Sequence, residues 1–329
     1  MTLLRPLLAL AVVIGACWFG MNYVAHHSVE DANAQAFQVL YEHLMPAALV
    51  VPEHGAEAGH ADAGHADDAH GETHYLLALT IPGLPHAFDQ DHAQDGVQLV
   101  ATNLQVFQLA AVLLVLILFS GVARHARQGG GDWISRRMAG FALWVRDEMV
   151  VPAMGPERGA KFLPWFLTVF FFILFMNLLG LVPGSATATA NIFVTGALAT
   201  VTLLSMVLCG MVAQGPIAFW KHLVPHVPLA LWPLMFVVEL IGLLVKPFAL
   251  MVRLFANMTG GHMVVLSFMG LIFFFAGTDH SAMGYAVSPI AVGFAVFIMI
   301  IEAFVALLQA YIFTQLSILF VGASVHPEH

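Results

Sequence analysis

The chain has 329 residues, 60% of them hydrophobic and only 9% charged, with a formal net charge of −9. That balance excludes a soluble globular domain and places the chain in a membrane. Lipid-facing backbone must satisfy its own hydrogen bonds, so the spans are helices or a closed barrel, and long continuous apolar runs without strand-length alternation select helices.

Residues 1–34 carry Arg5 and then an apolar run from Leu7 to Gly20, which reads as a signal peptide or a signal-anchor segment. Residues 35–97 form an exported, acidic, His-rich region. Twelve of the 20 acidic residues lie in the first 96 positions, so the net charge is segregated rather than spread. Within this region, the stretch holding His54, His60, His65, His70 and His74 is low-complexity and reads as a solvated spacer in preference to a metal scavenger. Residues 75–85 read as a short ordered patch beside the membrane.

Residues 98–329 read as a membrane domain of about five or six helices. The first span is 104–122. Residues 124–161 hold seven of the 11 Lys and Arg together with Trp133, Phe141 and Trp144, the pattern of a helix lying in the interface. Spans follow at 162–182 and 190–213, with a loop at 214–227 that carries Lys221. A long segment, 228–258, continues as 262–276, and after a polar turn at 277–284 the last segment runs over 286–321. Basic residues prefer the cytoplasmic side. That rule puts the N-terminal region outside and the C-terminus inside, in a membrane crossed several times.

At about 1.5 Å per residue the last two segments exceed a hydrocarbon core of about 30 Å. The fold class is therefore all-α and polytopic, with a long, strongly tilted helical hairpin at the C-terminal end.

Both long segments carry polar residues. Glu239, Lys246 and Arg253 are spaced seven apart, close to two helical turns, with Asn257 one turn further and His262 beyond it. Pro247 is placed to bend that helix. The last segment repeats the spacing with Glu302 and Gln309. Arginine cannot shed its charge, and at the centre of a membrane helix it costs roughly 2.5–3.5 kcal/mol on insertion scales. An Arg–Glu bridge between helices would be the structural explanation. Acid, base and amides at several depths exceed one packing pair and point to a water-filled ion path. His262 and Glu302 suit a proton-relay pair, because imidazole titrates near neutral pH. Neither hydrolase motifs nor phosphate-binding glycine loops occur, and the two cysteines, Cys17 and Cys209, lie far apart in apolar segments. No metal and no cofactor are expected.

The run Lys246-Pro247-Phe248-Ala249-Leu250-Met251-Val252-Arg253-Leu254-Phe255-Ala256-Asn257-Met258 closely resembles the signature of subunit a of F-type ATP synthases. Asn177-Leu178-Leu179-Gly180-Leu181-Val182-Pro183 and Leu308-Gln309-Ala310-Tyr311-Ile312-Phe313 match in the family's order, so the resemblance covers roughly residues 98–322. It implies a non-catalytic, proton-conducting stator subunit. Its partners would be a ring of c subunits, b-type peripheral stalk subunits, the rest of the ATP synthase and the lipid membrane, with no nucleic acid. Two aqueous half-channels would reach the ring carboxylates on either side of Arg253. Asn257, His262, Glu302 and Gln309 match outer half-channel positions and Glu239 an inner one; Lys246 belongs to the signature, and Asn191 stands where many relatives carry an acid. The N-terminal 96 residues have no clear counterpart in the resemblance. Two other classes make different demands on the sequence. A secondary transporter should show a second copy of the polar stripe, and none is present. A purely structural anchor should tolerate an apolar residue at 253.

Overall fold

The computed structural model describes residues 4–23, 78–81, 97–100, 102–122, 125, 133–182, 187–224, 227–228, 231–277 and 281–325. The five clustered histidines lie outside them. Apart from one short antiparallel ribbon, β1 (Ala78–Ile81) paired with β2 (Val97–Val100), the described elements are helical. β1 falls within the ordered patch expected at 75–85.

The first helix, α1 (Leu4–Tyr23), packs on α2 (Asn103–Phe119), with Ala16 and Cys17 buried beside Leu104, Phe107 and Ala111. Arg5 Nη1 donates to Ser135 Oγ at 2.5 Å and ties the start of α1 to the next element. That element is α3 (Trp133–Trp144), which runs through a π-helical stretch (Val145–Val150) into α4 (Val151–Met154). Arg136, Arg137 and both tryptophans are exposed, whereas Val145, Met149 and Val150 are buried. This two-faced character is what the interfacial reading of 124–161 requires. Arg146 donates to Asp147 at 2.7 Å, and that hydrogen bond holds the Asp147 carboxyl below its ordinary range.

Glycine at positive φ, Gly155, breaks the chain before α5 (Pro156–Gly180), whose first residue is a proline. A short 3₁₀ turn (Ala188–Ala190) leads to α6 (Ile192–Gln214), then α7 (Pro216–His222) after a second positive-φ glycine, Gly215. Asn191 caps α6, its side chain accepting from the Phe193 amide at 2.9 Å.

The remaining chain is two helices of 46 and 45 residues, α8 (Trp232–Gly277) and α9 (Ser281–Val325). Each would be nearly 70 Å long at about 1.5 Å per residue. The helix expected in two pieces is continuous through Pro247 and through Gly260-Gly261. Asn257 meets Gln309 and His262 meets Glu302, so partner numbers fall on one helix as they rise on the other: the pair is antiparallel.

Among the described residues four helices are long and apolar enough to cross a membrane: α5, α6, α8 and α9, while the 17-residue α2 is shorter. The protein is an all-α, multi-pass membrane chain. Buried Leu243, Leu250, Leu254 and Met258 mark the stripe by which α8 faces the bundle. It packs there against Phe170, Ile173, Ala310 and Phe313. The C-terminal end of α9 is held by Gln214 Nε2 donating to the Ser324 carbonyl at 2.5 Å and by Arg158 donating to that of Val325 at 3.5 Å. Those contacts put the ends of α6 and α9 and the start of α5 on one side of the protein.

Candidate functional site

The polar stripe on α8 runs beside its buried stripe. Pro247, Leu250, Leu254 and Met258 point into the bundle, and Lys246, Arg253 and Asn257 are exposed one position away. Along a helix of about 1.5 Å rise, Glu239 lies about 21 Å below Arg253, and His262 about 14 Å above it.

The upper group is assembled by four elements. Asn257 Nδ2 donates to Gln309 Oε1 at 2.9 Å. His262 Nδ1 lies 3.0 Å from Glu302 Oε1, with the two side chains 20% and 4% exposed. Its other ring nitrogen, Nε2, lies 2.7 Å from Thr187 Oγ1, just before the 3₁₀ turn. Thr187 Oγ1 in turn donates to the Gly180 carbonyl at 3.2 Å. From α5, Asn177 Nδ2 donates to the Ala306 carbonyl at 3.5 Å, and Thr259 donates to that of Ala190 at 3.3 Å. Sequence spacing places His262 and Glu302 on two helices. It does not disclose Thr187, for which a threonine pair between spans is only a weak signal.

Two glycines make room for these contacts. A Cβ at Gly180 would lie 2.8 Å from Thr187 Cγ2, and one at Gly261 2.6 Å from Glu302 Oε1. Gly261→Ala should therefore destabilise the chain by about 1–3 kcal/mol, the usual cost of overpacking. Gly260→Ala meets nothing within 4 Å and should stabilise the helix by up to about 1 kcal/mol. Thermal unfolding of the two purified variants checks the order, and equal midpoints would refute the close approach of Glu302.

Several polar atoms of this group are buried without a hydrogen-bond partner among the described residues. They are Asn177 Oδ1, Thr189 Oγ1 and Gln309 Nε2, with Thr314 Oγ1 and Gln315 Oε1 further along α9. An unsatisfied buried polar group costs about 1–3 kcal/mol. Of these, Asn177 reaches the Ala306 carbonyl, between Glu302 and Gln309 on α9.

Arg253 makes no hydrogen bond or ion pair with any described residue. The helix-to-helix Arg–Glu bridge considered as a packing explanation is therefore not formed among them. Glu239 is half-buried and likewise forms no ion pair with a described group. Lys246 lies over the Phe320 ring, its Nζ 5.5 Å from the centroid. Asn191 is engaged in capping α6 and does not hydrogen-bond to the His262–Glu302 group. No group of three His, Cys, Asp or Glu side chains among the described residues could hold a metal.

The family model described as ATP synthase A chain matches residues 105–322. ATP synthase subunit a of Myxococcus xanthus (strain DK1622) is 45% identical over 225 residues, 67% of this chain and 71% of that protein. The subunit of Chloroherpeton thalassium (strain ATCC 35110 / GB-78) is 44% identical over 225 residues, covering 67% of this chain and 65% of its own length. ATP synthase subunit a 2 of Chlorobium luteolum (strain DSM 273 / BCRC 81028 / 2530) is 36% identical over 318 residues, 88% of this chain and 89% of its own. That last match leaves out about an eighth of the chain, so it reaches into the N-terminal region, for which the sequence motifs supply no counterpart. The matched residues hold α5, α6, nearly all of the long hairpin and the whole polar group, and the chain belongs to the ATP synthase A chain family.

Proposed function

We propose that this chain is the proton-conducting stator subunit of a rotary F-type ATP synthase, non-catalytic in itself. The observation that carries this reading is Arg253: a permanent charge exposed at mid-length of a membrane-length helix, with no ionic partner among the described residues. Such a charge is costly beside lipid. A carboxylate brought by another subunit offsets that cost, and one carboxylate per subunit of a c ring supplies it repeatedly as the ring turns.

The groups above and below Arg253 fit two half-channels. Basic residues Arg136, Arg137, Arg158 and Lys161 set the cytoplasmic side, which places the Glu302–His262 group toward the outside and Glu239 toward the inside. The unsatisfied atoms of Asn177, Thr189 and Gln309 favour a hydrated outer path, because water is the remaining partner for such groups. Asn257 and Gln309 continue it toward Arg253. Beside Arg253 an ionised carboxylate is favoured, which promotes proton release to the inner path at Glu239. The same fixed charge opposes a direct leak of protons between the two paths. The hairpin is strongly tilted in this reading, since helices of nearly 70 Å otherwise overrun the bilayer. In the apolar windows of α8 and α9 only 17% and 22% of residues are buried, against 44% for α5. That leaves a broad apolar face for lipid, for the ring and for b-type stalk subunits.

Purification of this chain from its native membrane under mild detergent tests the assignment. A small two-helix protein with one mid-membrane carboxylate is expected to co-purify, and a chain isolated reproducibly without one sinks the stator reading.

A further inference from the structure

We infer that Thr187 is a positioning residue that locks the tautomer of His262 and so confines proton exchange to the Glu302 side of the ring. The inference rests on the proton-conducting reading proposed above. It begins with a carbonyl. Gly180 is the last residue of α5, so its C=O has no partner within the helix. Thr187 Oγ1 lies 3.2 Å from that oxygen and 2.7 Å from His262 Nε2. A hydroxyl has one hydrogen and a carbonyl can only accept, so the hydrogen goes to Gly180. The Thr187 oxygen then accepts, which makes Nε2 the protonated nitrogen of His262. Thr187 is 5% exposed, and its methyl fills the space that glycine at 180 leaves open.

With Nε2 fixed as a donor, neutral His262 presents a bare lone pair at Nδ1, 3.0 Å from Glu302 Oε1. Two lone pairs at that distance repel, so the contact holds one proton. It sits on Glu302 as O–H···Nδ1 or on His262 as N–H···Oε1. Moving it breaks the O–H bond, forms the N–H bond and leaves the pair's net charge unchanged; the proton leaves again by the reverse shift to Glu302, which exchanges it with the path. Exchange through Nε2 is closed, because Thr187 has no hydrogen left to pass on. Glu302 is the one charged group that the elements packed on this ring bring to it among the described residues. α6 has no charged residue, and those of α5, Glu157, Arg158 and Lys161, lie at its opposite end. On α8 itself Arg253 lies nine positions away.

The test uses the assembled complex in inverted membrane vesicles, with ATP-driven acidification followed across pH and normalised to the amount of this chain. Thr187→Val removes the hydroxyl and keeps the branched shape. We expect it to slow pumping about tenfold and to move the pH of half-maximal rate by about one unit, the scale of a lost hydrogen bond to a charged group. Thr187→Ser should return the wild-type profile, and Thr187→Ala replaces the valine variant if that one fails to assemble. A hydroxyl-free variant with a wild-type profile overturns the inference, as does a serine variant shifted like valine. His262→Ala and Glu302→Gln run in parallel separate the two levels. If both pump normally, the proton-conducting role of the pair falls; if both are impaired while Thr187→Val is unchanged, only the role of Thr187 falls.

Discussion

Arg253→Ala is expected to abolish ATP-driven proton pumping while the complex still assembles. Removing a charge from mid-helix makes insertion easier by roughly 2.5–3.5 kcal/mol. The side chain is exposed and makes no hydrogen bond or ion pair with a described residue, so its loss breaks no such contact among the described residues. A loss of pumping with the complex assembled is therefore not explained by any described contact. What disappears is the fixed charge that would meet an incoming carboxylate. A pair of unit charges at about 4 Å is worth about 4 kcal/mol at an effective dielectric of about 20, or roughly three orders of magnitude in the ionised fraction. Arg253→Lys keeps a charge but not its permanence, since an ammonium in an apolar setting can neutralise, and it is expected to be severely impaired as well. Inverted vesicles report both variants through acidification, with retention of the other subunits measured beside it. Normal pumping by Arg253→Ala would falsify the stator assignment.

Glu302→Gln carries the second largest expected effect. The amide keeps the size of the carboxyl and can still donate to His262 Nδ1, so the 3.0 Å contact and the packing around it survive. It cannot take up or give up a proton. Pumping should fall about a hundredfold, at the lower end of the 10²–10⁴ range of positioned acid–base groups, and lose its dependence on pH in the neutral range. An unchanged pH profile would reduce Glu302 to a packing residue. Its 4% exposure and the glycine held open opposite it make the substitution informative, because no larger side chain fits there without moving α8.

Much of the site can be read in the sequence because the membrane magnifies it. In an apolar run, Glu239, Lys246, Arg253, Glu302 and Gln309 stand out individually, and a spacing of seven places them on helix faces before any fold is known. The same spacing anticipates two long helices, and length alone anticipates that they overrun a bilayer. Other residues are silent. Thr187 is one small polar side chain in a stretch of alternating Ala and Thr, and nothing local says that it reaches an imidazole 75 positions away. Asn191 shows the reverse: the family resemblance implies a position where many relatives carry an acid, yet its side chain is engaged in a helix cap. Lys246 lies in the signature run and is found over Phe320.

By itself the sequence determined the membrane class, the all-α character and the order of the polar residues along the two long segments. Those follow from solvation, which acts on each residue separately and leaves its mark in the order of the chain. The tertiary structure decided which polar groups meet. The antiparallel packing of α8 on α9 brings His262 to Glu302 and Asn257 to Gln309, and glycines at 180 and 261 allow the approach. It also decided that Arg253 has no described partner, a fact no local pattern encodes, because pairing depends on how helices far apart in the chain are set against one another.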